Sequence, residues 1–172
     1  MICHCDVLCS LLFSLADANN TLALFLLSHS RSDGRPVIFV YNEAGCEVVD
    51  RWMAAGPDWY IVLKLFPGYK DCSTQPDHWH QYGPGSAVLK YDKASSFSIS
   101  PGFWRADATS PSLARLGKNE WCNNVQSMVN SNHDLQLVTT FNEHGEGTGV
   151  ESSPSWGNGY GRYLDCLHEI PT

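Results

Sequence analysis

The sequence has no apolar run long enough to cross a bilayer and no cluster of Lys and Arg residues. A spanning helix needs about 18 or more consecutive apolar residues, so no transmembrane helix is predicted. Eleven Lys and Arg residues against 18 Asp and Glu residues give a formal charge of −7. Nucleic acids and anionic membranes bind basic surfaces, so we expect neither as a partner.

Motifs of several common enzyme and metal sites are also missing. The seven cysteines include no C-x-x-C pair, which disfavours a zinc or thiol-redox site. No G-x-S-x-G turn is present to support Ser/His/Asp hydrolysis. His78, His80 and His144 lie in aromatic or glycine-rich segments that are more typical of hydrogen-bonding histidines. We therefore predict neither a metal nor a cofactor.

The N-terminal segment, residues 1–31, has two interpretations. An apolar stretch at residues 7–16 leads into Ala16-Asp17-Ala18, the small-x-small pattern of a signal-peptide cleavage site, although the basic start of such peptides is missing. Its removal would leave an even number of cysteines, compatible with two disulfides in a secreted protein: Cys46, Cys72, Cys122 and Cys166. The alternative is a buried helix whose cysteines act as small apolar residues, in an intracellular protein.

Signals for buried strands alternate with helical signals from residue 35 onward. Short β-branched and aromatic runs predict four strands, at residues 36–41, 59–66, 96–100 and 135–141. Apolar spacing and terminators predict helices at 47–55, 119–129 and 161–168, with a long loop at 75–84. This alternation predicts an α/β fold with a parallel sheet, whose functional residues lie at the carboxyl ends of the strands.

Glu143 and Glu146 are the predicted catalytic residues. They lie three positions apart in a glycine-rich turn that directly follows the fourth strand. Three extended residues span at most roughly 10 Å. The two carboxyl groups can therefore reach the ~5 to ~9.5 Å separation that glycosidases use. The alternative is a solvated acidic turn, or carboxylates that cap a helix or form structural salt bridges.

Aromatic and polar residues at strand ends and in loops predict a carbohydrate-binding surface. Aromatic faces suit the apolar faces of sugar rings, while Asn and His side chains bind hydroxyl groups. The alternative is that the aromatic rings pack loops onto the core. The residues predicted on these grounds are Tyr41, Asn42, Trp79, His80, Tyr82, Trp104, His144 and Trp156.

Residues 140–151, Thr-Phe-Asn-Glu-His-Gly-Glu-Gly-Thr-Gly-Val-Glu, resemble the signature Asn-Glu-Trp-x-Glu-Gly-Thr-x-x-Glu of glycoside hydrolase family 99 and its relatives. Shorter stretches at 33–41, 79–84, 100–104 and 161–164 are similar to related proteins, so the resemblance runs from about residue 32 to the end. It implies that residues 32–172 are the C-terminal half of a (β/α)8 barrel. The predicted fold is therefore a partial TIM barrel of about four βα units, with residues 1–31 as a barrel remnant or a signal-like segment.

The characterised members of that family are retaining, endo-acting α-mannosidases and α-mannanases. The resemblance implies that Glu143 and Glu146 are the two essential carboxylates. One would assist attack by the sugar's own 2-hydroxyl, giving a 1,2-anhydro sugar, and the other would protonate the leaving oxygen. Asn142 and Glu151 fall on motif positions that orient the site. His144 replaces the Trp of the motif, so a titratable donor stands where the family has an aromatic wall.

Length shapes the remaining expectations. A full barrel needs about 250 residues and eight strands, whereas a half-barrel leaves two unpaired sheet edges and an exposed apolar face. We therefore expect that the chain pairs with a second copy, pairs with a missing N-terminal half, or is a truncated form of a longer protein, and of these we favour truncation. Two functions remain: a glycoside hydrolase acting on a mannose-type or related polysaccharide, or a non-catalytic carbohydrate-binding protein or truncated pseudoenzyme.

Overall fold

The computed structural model describes residues 22–24, 31–41, 45–91, 96–156 and 161–169. The described residues divide into two compact units, an N-terminal unit that ends at Gln81 and a C-terminal unit that begins at Tyr82. Among the described helices, none is both long and apolar enough to cross a membrane.

Three parallel strands organise the N-terminal unit. These are β3 (Arg35–Tyr41), β4 (Tyr60–Lys64) and β5 (His78–His80), paired in that order. Two short strands, β1 (Leu22–Leu24) and β2 (Arg31–Ser32), pair with β3 in the antiparallel direction. Helix α1 (Cys46–Ala55) connects β3 to β4, as parallel pairing requires.

The apolar runs of β3 and β4 are buried on both faces, which is why neither shows polar alternation. Val37 to Val40 and Ile61 to Leu63 are all at most 6% exposed. Val48 and Val49 on α1 are buried in the same unit. A disulfide between Cys46, the first residue of α1, and Cys72 ties the helix to the loop that precedes β5.

An ion pair at the amino-terminal ends of the three parallel strands stabilises this sheet. Asp77 accepts hydrogen bonds from the Arg35 guanidinium at 2.5 Å and from the Ile61 backbone N–H at 2.8 Å. The same guanidinium donates to the Trp59 carbonyl at 2.9 Å and lies over the Tyr60 ring. One carboxylate therefore links the start of β5 to the first residues of both β3 and β4.

We expect Asp77→Ala to lower the free energy of unfolding by about 2 kcal/mol, because the Ile61 N–H and the Arg35 guanidinium both lose their acceptor. Urea unfolding followed by near-UV circular dichroism measures the change. Asp107→Ala is the matched control: its carboxylate also lies 2.5 Å from an arginine, Arg105, but its side chain is 68% exposed against 15% for Asp77. The control should cost less than about 0.5 kcal/mol. Equal losses in the two variants would show that Asp77 does not link the strands.

The C-terminal unit contains a smaller mixed sheet. Its strands are β6 (Val88–Tyr91), β7 (Ser96–Ile99) and β8 (Leu135–Val138). β6 pairs antiparallel with β7, and β7 pairs parallel with β8. Two helices, α2 (Lys118–Val129) and α3 (Arg162–Glu169), contribute to one buried cluster with the sheet. Its members include Phe97, Ile99, Trp121, Met128, Val138 and Tyr163.

Helix α2 follows the predicted apolar spacing. Trp121, Val125 and Met128 recur at intervals of four and three and form its buried face. The Trp121 indole N–H donates to the Tyr163 carbonyl at 2.9 Å, and the two rings meet edge to face at 5.7 Å. A disulfide between Cys122 and Cys166 also joins α2 to α3.

The predicted partial (β/α)8 barrel is wrong. The strands form two separate sheets, and antiparallel partners flank the parallel strands in both of them. The physical reason is the length of the connections. Only residues 92–95 separate β6 from β7, whereas a parallel crossover needs a dozen or more residues. The four predicted strands and three predicted helices are otherwise confirmed, although β8 stops at Val138 and the predicted loop at 75–84 contains β5.

Candidate active site

The two candidate carboxylates lie in the glutamate turn, residues 140–148, which follows β8. Thr140 and Thr148 close this turn: the Thr140 N–H donates to the Thr148 carbonyl at 3.1 Å, and their buried hydroxyls lie 2.7 Å apart. The Glu143 N–H donates to the Thr140 hydroxyl at 3.0 Å. The peptide bond between Thr139 and Thr140 is cis. The contacts between Thr140 and Thr148 fix both ends of the backbone segment that contains the two glutamates.

Glu146 has a phenol as its partner. The Tyr82 hydroxyl donates to Glu146 Oε2 at 2.6 Å, across 64 residues of sequence. Hydrogen bonds to an ionised oxygen are among the strongest that side chains make. The contact fixes the position of one carboxylate oxygen, and it brings the first residue of the C-terminal unit to the glutamate turn.

Glu143 has a different environment in the same turn. Its Oε1 accepts a hydrogen bond from the Gly145 N–H at 3.2 Å, so it caps the single 3-10 turn of His144–Glu146. The side chain is only partly buried. The two carboxylates therefore differ in their partners, a backbone amide for Glu143 and a phenol for Glu146.

The loop after β7 packs against this turn and presents Trp104. The Trp104 N–H donates to the Glu146 carbonyl and the Ala106 N–H to the Gly145 carbonyl, both at 2.8 Å. Gly147 has φ of 61°, and a Cβ there would lie 3.0 Å from the Trp104 carbonyl oxygen. This close approach requires glycine. Trp104 remains 53% exposed, and its indole N–H donates to the Ala108 carbonyl at 3.0 Å.

Arg115 supports the turn from the other end. Its guanidinium donates to the carbonyl oxygens of Gly147 and Gly149, each at 2.7 Å. It also lies over the Tyr163 ring, 4.4 Å from the ring centroid. Sequence reasoning missed Arg115, because it lies 32 residues from Gly147 and outside any motif. Thr140 and Thr148 were also missed, although both fall inside the glutamate motif.

His144 and Glu151 pair at the surface. Their Nε2 and Oε2 atoms lie 3.2 Å apart, with side chains 71% and 41% exposed. His144 therefore stands outside the buried part of the turn. Asn142 is partly buried, and its carbonyl accepts the His144 N–H at 2.9 Å.

Three predicted binding residues belong to the N-terminal unit. Tyr41 ends β3 and is 38% exposed. Trp79 is buried in β5, where its indole N–H donates to Gln75 and its ring packs on Tyr69 at 5.3 Å. These contacts are those of an aromatic ring that packs a loop onto a core.

His80 is buried on the opposite face of β5 from Trp79, since strand side chains alternate. Its Nε2 donates to the Val40 carbonyl at 3.2 Å, and its ring meets Phe39 edge to face. Burial lowers the pKa of His80 to about 4, so the imidazole is neutral over the physiological range. Trp156 ends a 3-10 turn in the C-terminal unit, and Asn42 lies outside the described residues.

Seven of the predicted site residues lie in or against one segment of the C-terminal unit: Tyr82, Trp104, Asn142, Glu143, His144, Glu146 and Glu151. Two carboxylates, a phenol and an exposed indole can together bind a polyhydroxylated ligand and transfer protons to it. Comparison of the chain with protein-family models, with curated proteins and with solved structures finds no match in any of the three.

Proposed function

We propose that the chain is a glycoside hydrolase-like protein that cleaves a mannose-type or related polysaccharide with Glu143 and Glu146. The observation that carries this proposal is the Tyr82–Glu146 hydrogen bond, which fixes one carboxylate of a turn that contains both glutamates. Trp104 is exposed and its backbone N–H is bonded to the Glu146 carbonyl, so its ring is a candidate surface for the apolar face of a sugar. The resemblance of residues 140–151 to the family 99 signature supports the same chemistry.

The chemistry requires the two carboxylates to act differently. One donates a proton to the glycosidic oxygen as the bond breaks, and the other assists the attacking nucleophile. Their distinct partners supply such a difference, because Glu146 is bonded to a side-chain hydroxyl and Glu143 to the backbone of its own turn. Thr140 and Arg115 act as positioning residues for this pair.

The two disulfides fit an oxidising environment, since such bonds persist mainly in extracellular compartments. We propose on this basis that the protein is secreted. A secreted location also gives a polysaccharide hydrolase direct access to its substrate.

Glutamine variants of the two carboxylates test the proposal. Release of reducing ends from α-mannan and from a panel of other polysaccharides should fall by about 100-fold in both Glu143→Gln and Glu146→Gln, because each loses a proton-transfer group while its size is kept. Initial rates measured on the most rapidly cleaved substrate give the comparison.

Glu120→Gln is the matched control, because Glu120 is an exposed glutamate on α2 of the same unit. It should hydrolyse at the rate of the unmodified chain. Near-normal hydrolysis by both glutamine variants of the turn would refute the catalytic assignment.

A non-catalytic carbohydrate-binding protein is the second candidate function. The capping bond from Gly145 to Glu143 favours it, because it occupies an oxygen that catalysis would use. For a binding protein, glycan affinity measured by tryptophan fluorescence should survive Glu146→Gln and be lost in Trp104→Ala, with no hydrolysis by the unmodified chain.

A further inference from the structure

A loop that is exposed along its whole length follows β7 in the C-terminal unit. Residues 104–112 form the longest run of consecutive exposed residues in the described part of the chain. Phe103 and Leu113 close the base of this loop, because their backbone groups exchange hydrogen bonds at 2.8 and 3.1 Å. Backbone N–H groups in the first half of the loop donate to the glutamate turn. The second half, residues 109–112, has no such contact with the turn.

Residues 109–112, Thr-Ser-Pro-Ser, carry three hydroxyl groups around one proline. Within the residues that the structure describes, none of these four makes a hydrogen bond through its backbone or its side chain. Ser110 precedes the proline, and a residue in that position favours extended backbone. The segment therefore offers both its hydroxyl groups and its backbone to an enzyme that binds an extended chain.

A second segment of the same unit has a very similar composition but a different structure. Residues 152–155 read Ser-Ser-Pro-Ser and lead into the 3-10 turn of Pro154–Trp156. The Ser153 hydroxyl accepts the Ser155 N–H at 3.3 Å, so this segment is folded onto itself. Composition alone does not distinguish the two segments, whereas their hydrogen bonds do.

We propose that Thr109, Ser110 and Ser112 form an O-glycosylation site that accepts N-acetylgalactosamine from a sugar nucleotide. A hydroxyl oxygen bonds to the anomeric carbon of the sugar, the bond from that carbon to the diphosphate breaks, and the hydroxyl proton passes to a base of the transferase. Segments in which Ser and Thr flank Pro are typical acceptors of O-linked sugars. The proposal rests on the proposed secreted location, since the two disulfides fit an oxidising compartment rather than the cytosol. It is independent of the proposed hydrolase activity.

Enzymatic glycosylation of the full, disulfide-bonded chain tests the proposal. The chain is incubated with UDP-N-acetylgalactosamine and a polypeptide N-acetylgalactosaminyltransferase, stopped at low conversion, and digested with trypsin for mass spectrometry. Cleavage after Arg105 and Arg115 releases residues 106–115, in which the three proposed acceptors are the only hydroxyl side chains. The sugar label on this peptide should exceed the label on residues 152–155 by about tenfold, because the folded segment must first open locally to enter the transferase.

Variants and an unfolded control separate the acceptor site from general labelling. A triple variant of the proposed acceptors, Thr109→Val/Ser110→Ala/Ser112→Ala, should lose the label on the tryptic peptide. Ser152→Ala/Ser155→Ala is the matched control and should keep that label. Reduction and alkylation of the disulfides should open the second segment, so the ratio of labels should fall. Equal labelling of the two segments in the folded chain, label that appears only after reduction, or no label in either state would overturn the proposal.

Discussion

We expect the free energy of unfolding of the Cys122→Ala/Cys166→Ala double variant to be about 4 kcal/mol lower than that of the unmodified chain. The disulfide closes a loop of 44 residues, and chain-entropy arguments give about this value for a loop of that length. Near-UV circular dichroism during urea unfolding reports the loss, because Trp121 is fully buried beside the disulfide-linked helices. The midpoint should shift to a lower urea concentration.

Reduction provides the control for this variant. A thiol reductant should destabilise the unmodified chain around Trp121 and have no further effect on the double variant at that site. The second disulfide, Cys46–Cys72, closes a loop of 26 residues in the N-terminal unit, so its removal should not reproduce the change. A double variant as stable as the unmodified chain would show that packing of α2 on α3 is sufficient without the bond.

Strands and helices with strong periodic signals could be predicted from sequence. Residues 36–41 form a continuous run rich in β-branched and aromatic residues, and that composition with its short length favours a strand buried on both faces over a helix. Helix α2 was equally predictable, since Trp121, Val125 and Met128 recur at helical spacing. These elements are encoded by neighbouring residues, and local patterns capture them.

The arrangement of those elements could not be predicted in the same way. His78–His80 is short and partly polar, and it becomes a strand because β4 offers it a pairing edge. Val88–Tyr91 becomes β6 by forming a hairpin with β7. Pairing of this kind depends on register and connection length. The resemblance to a barrel family supplied neither, and the architecture that it implied is wrong.

The candidate site likewise contains some residues that local sequence patterns bring together and one contact that they do not predict. Glu143 and Glu146 lie three positions apart in the sequence, so a single turn contains both of them. Trp104 lies on a different strand end, and the rule that parallel strands deliver residues to one edge correctly placed it near the glutamates. The specific contact of Tyr82 with Glu146 spans 64 residues, and no local signal encodes it.

Between pH 7 and pH 4, we expect the free energy of unfolding of the unmodified chain to fall by about 3 kcal/mol more than that of the His80→Phe variant. The native pKa of His80 is about 4, whereas an unfolded histidine titrates near 6.5. The unfolded chain therefore binds the proton more tightly than the native chain. Stability from this residue is fully present above pH 6.5 and is lost as the pH falls towards 4. Urea unfolding at pH 7, 5.5 and 4 measures the loss.

The His80→Phe variant isolates this effect because carboxylates titrate equally in both chains. Phenylalanine keeps an aromatic ring beside Phe39, and the backbone bond from the Leu65 N–H to the residue 80 carbonyl is unchanged. His78→Phe is the matched control, since it removes a histidine from the same face of β5 and leaves the buried one. It should retain most of the acid sensitivity of the unmodified chain.

Loss of the hydrogen bond to the Val40 carbonyl will also destabilise His80→Phe at pH 7, so the informative quantity is the change in stability with pH. A buried neutral imidazole makes the free energy of unfolding depend steeply on pH. Of the two variants, only His80→Phe removes this dependence. An imidazole that reaches solvent to bind a ligand would be protonated near its ordinary pKa and would contribute little dependence. If the free energy of unfolding depends on pH equally in the unmodified chain and in His80→Phe, His80 is again a candidate binding residue. If the dependence is weaker in His80→Phe, His80 is a residue of the sheet core.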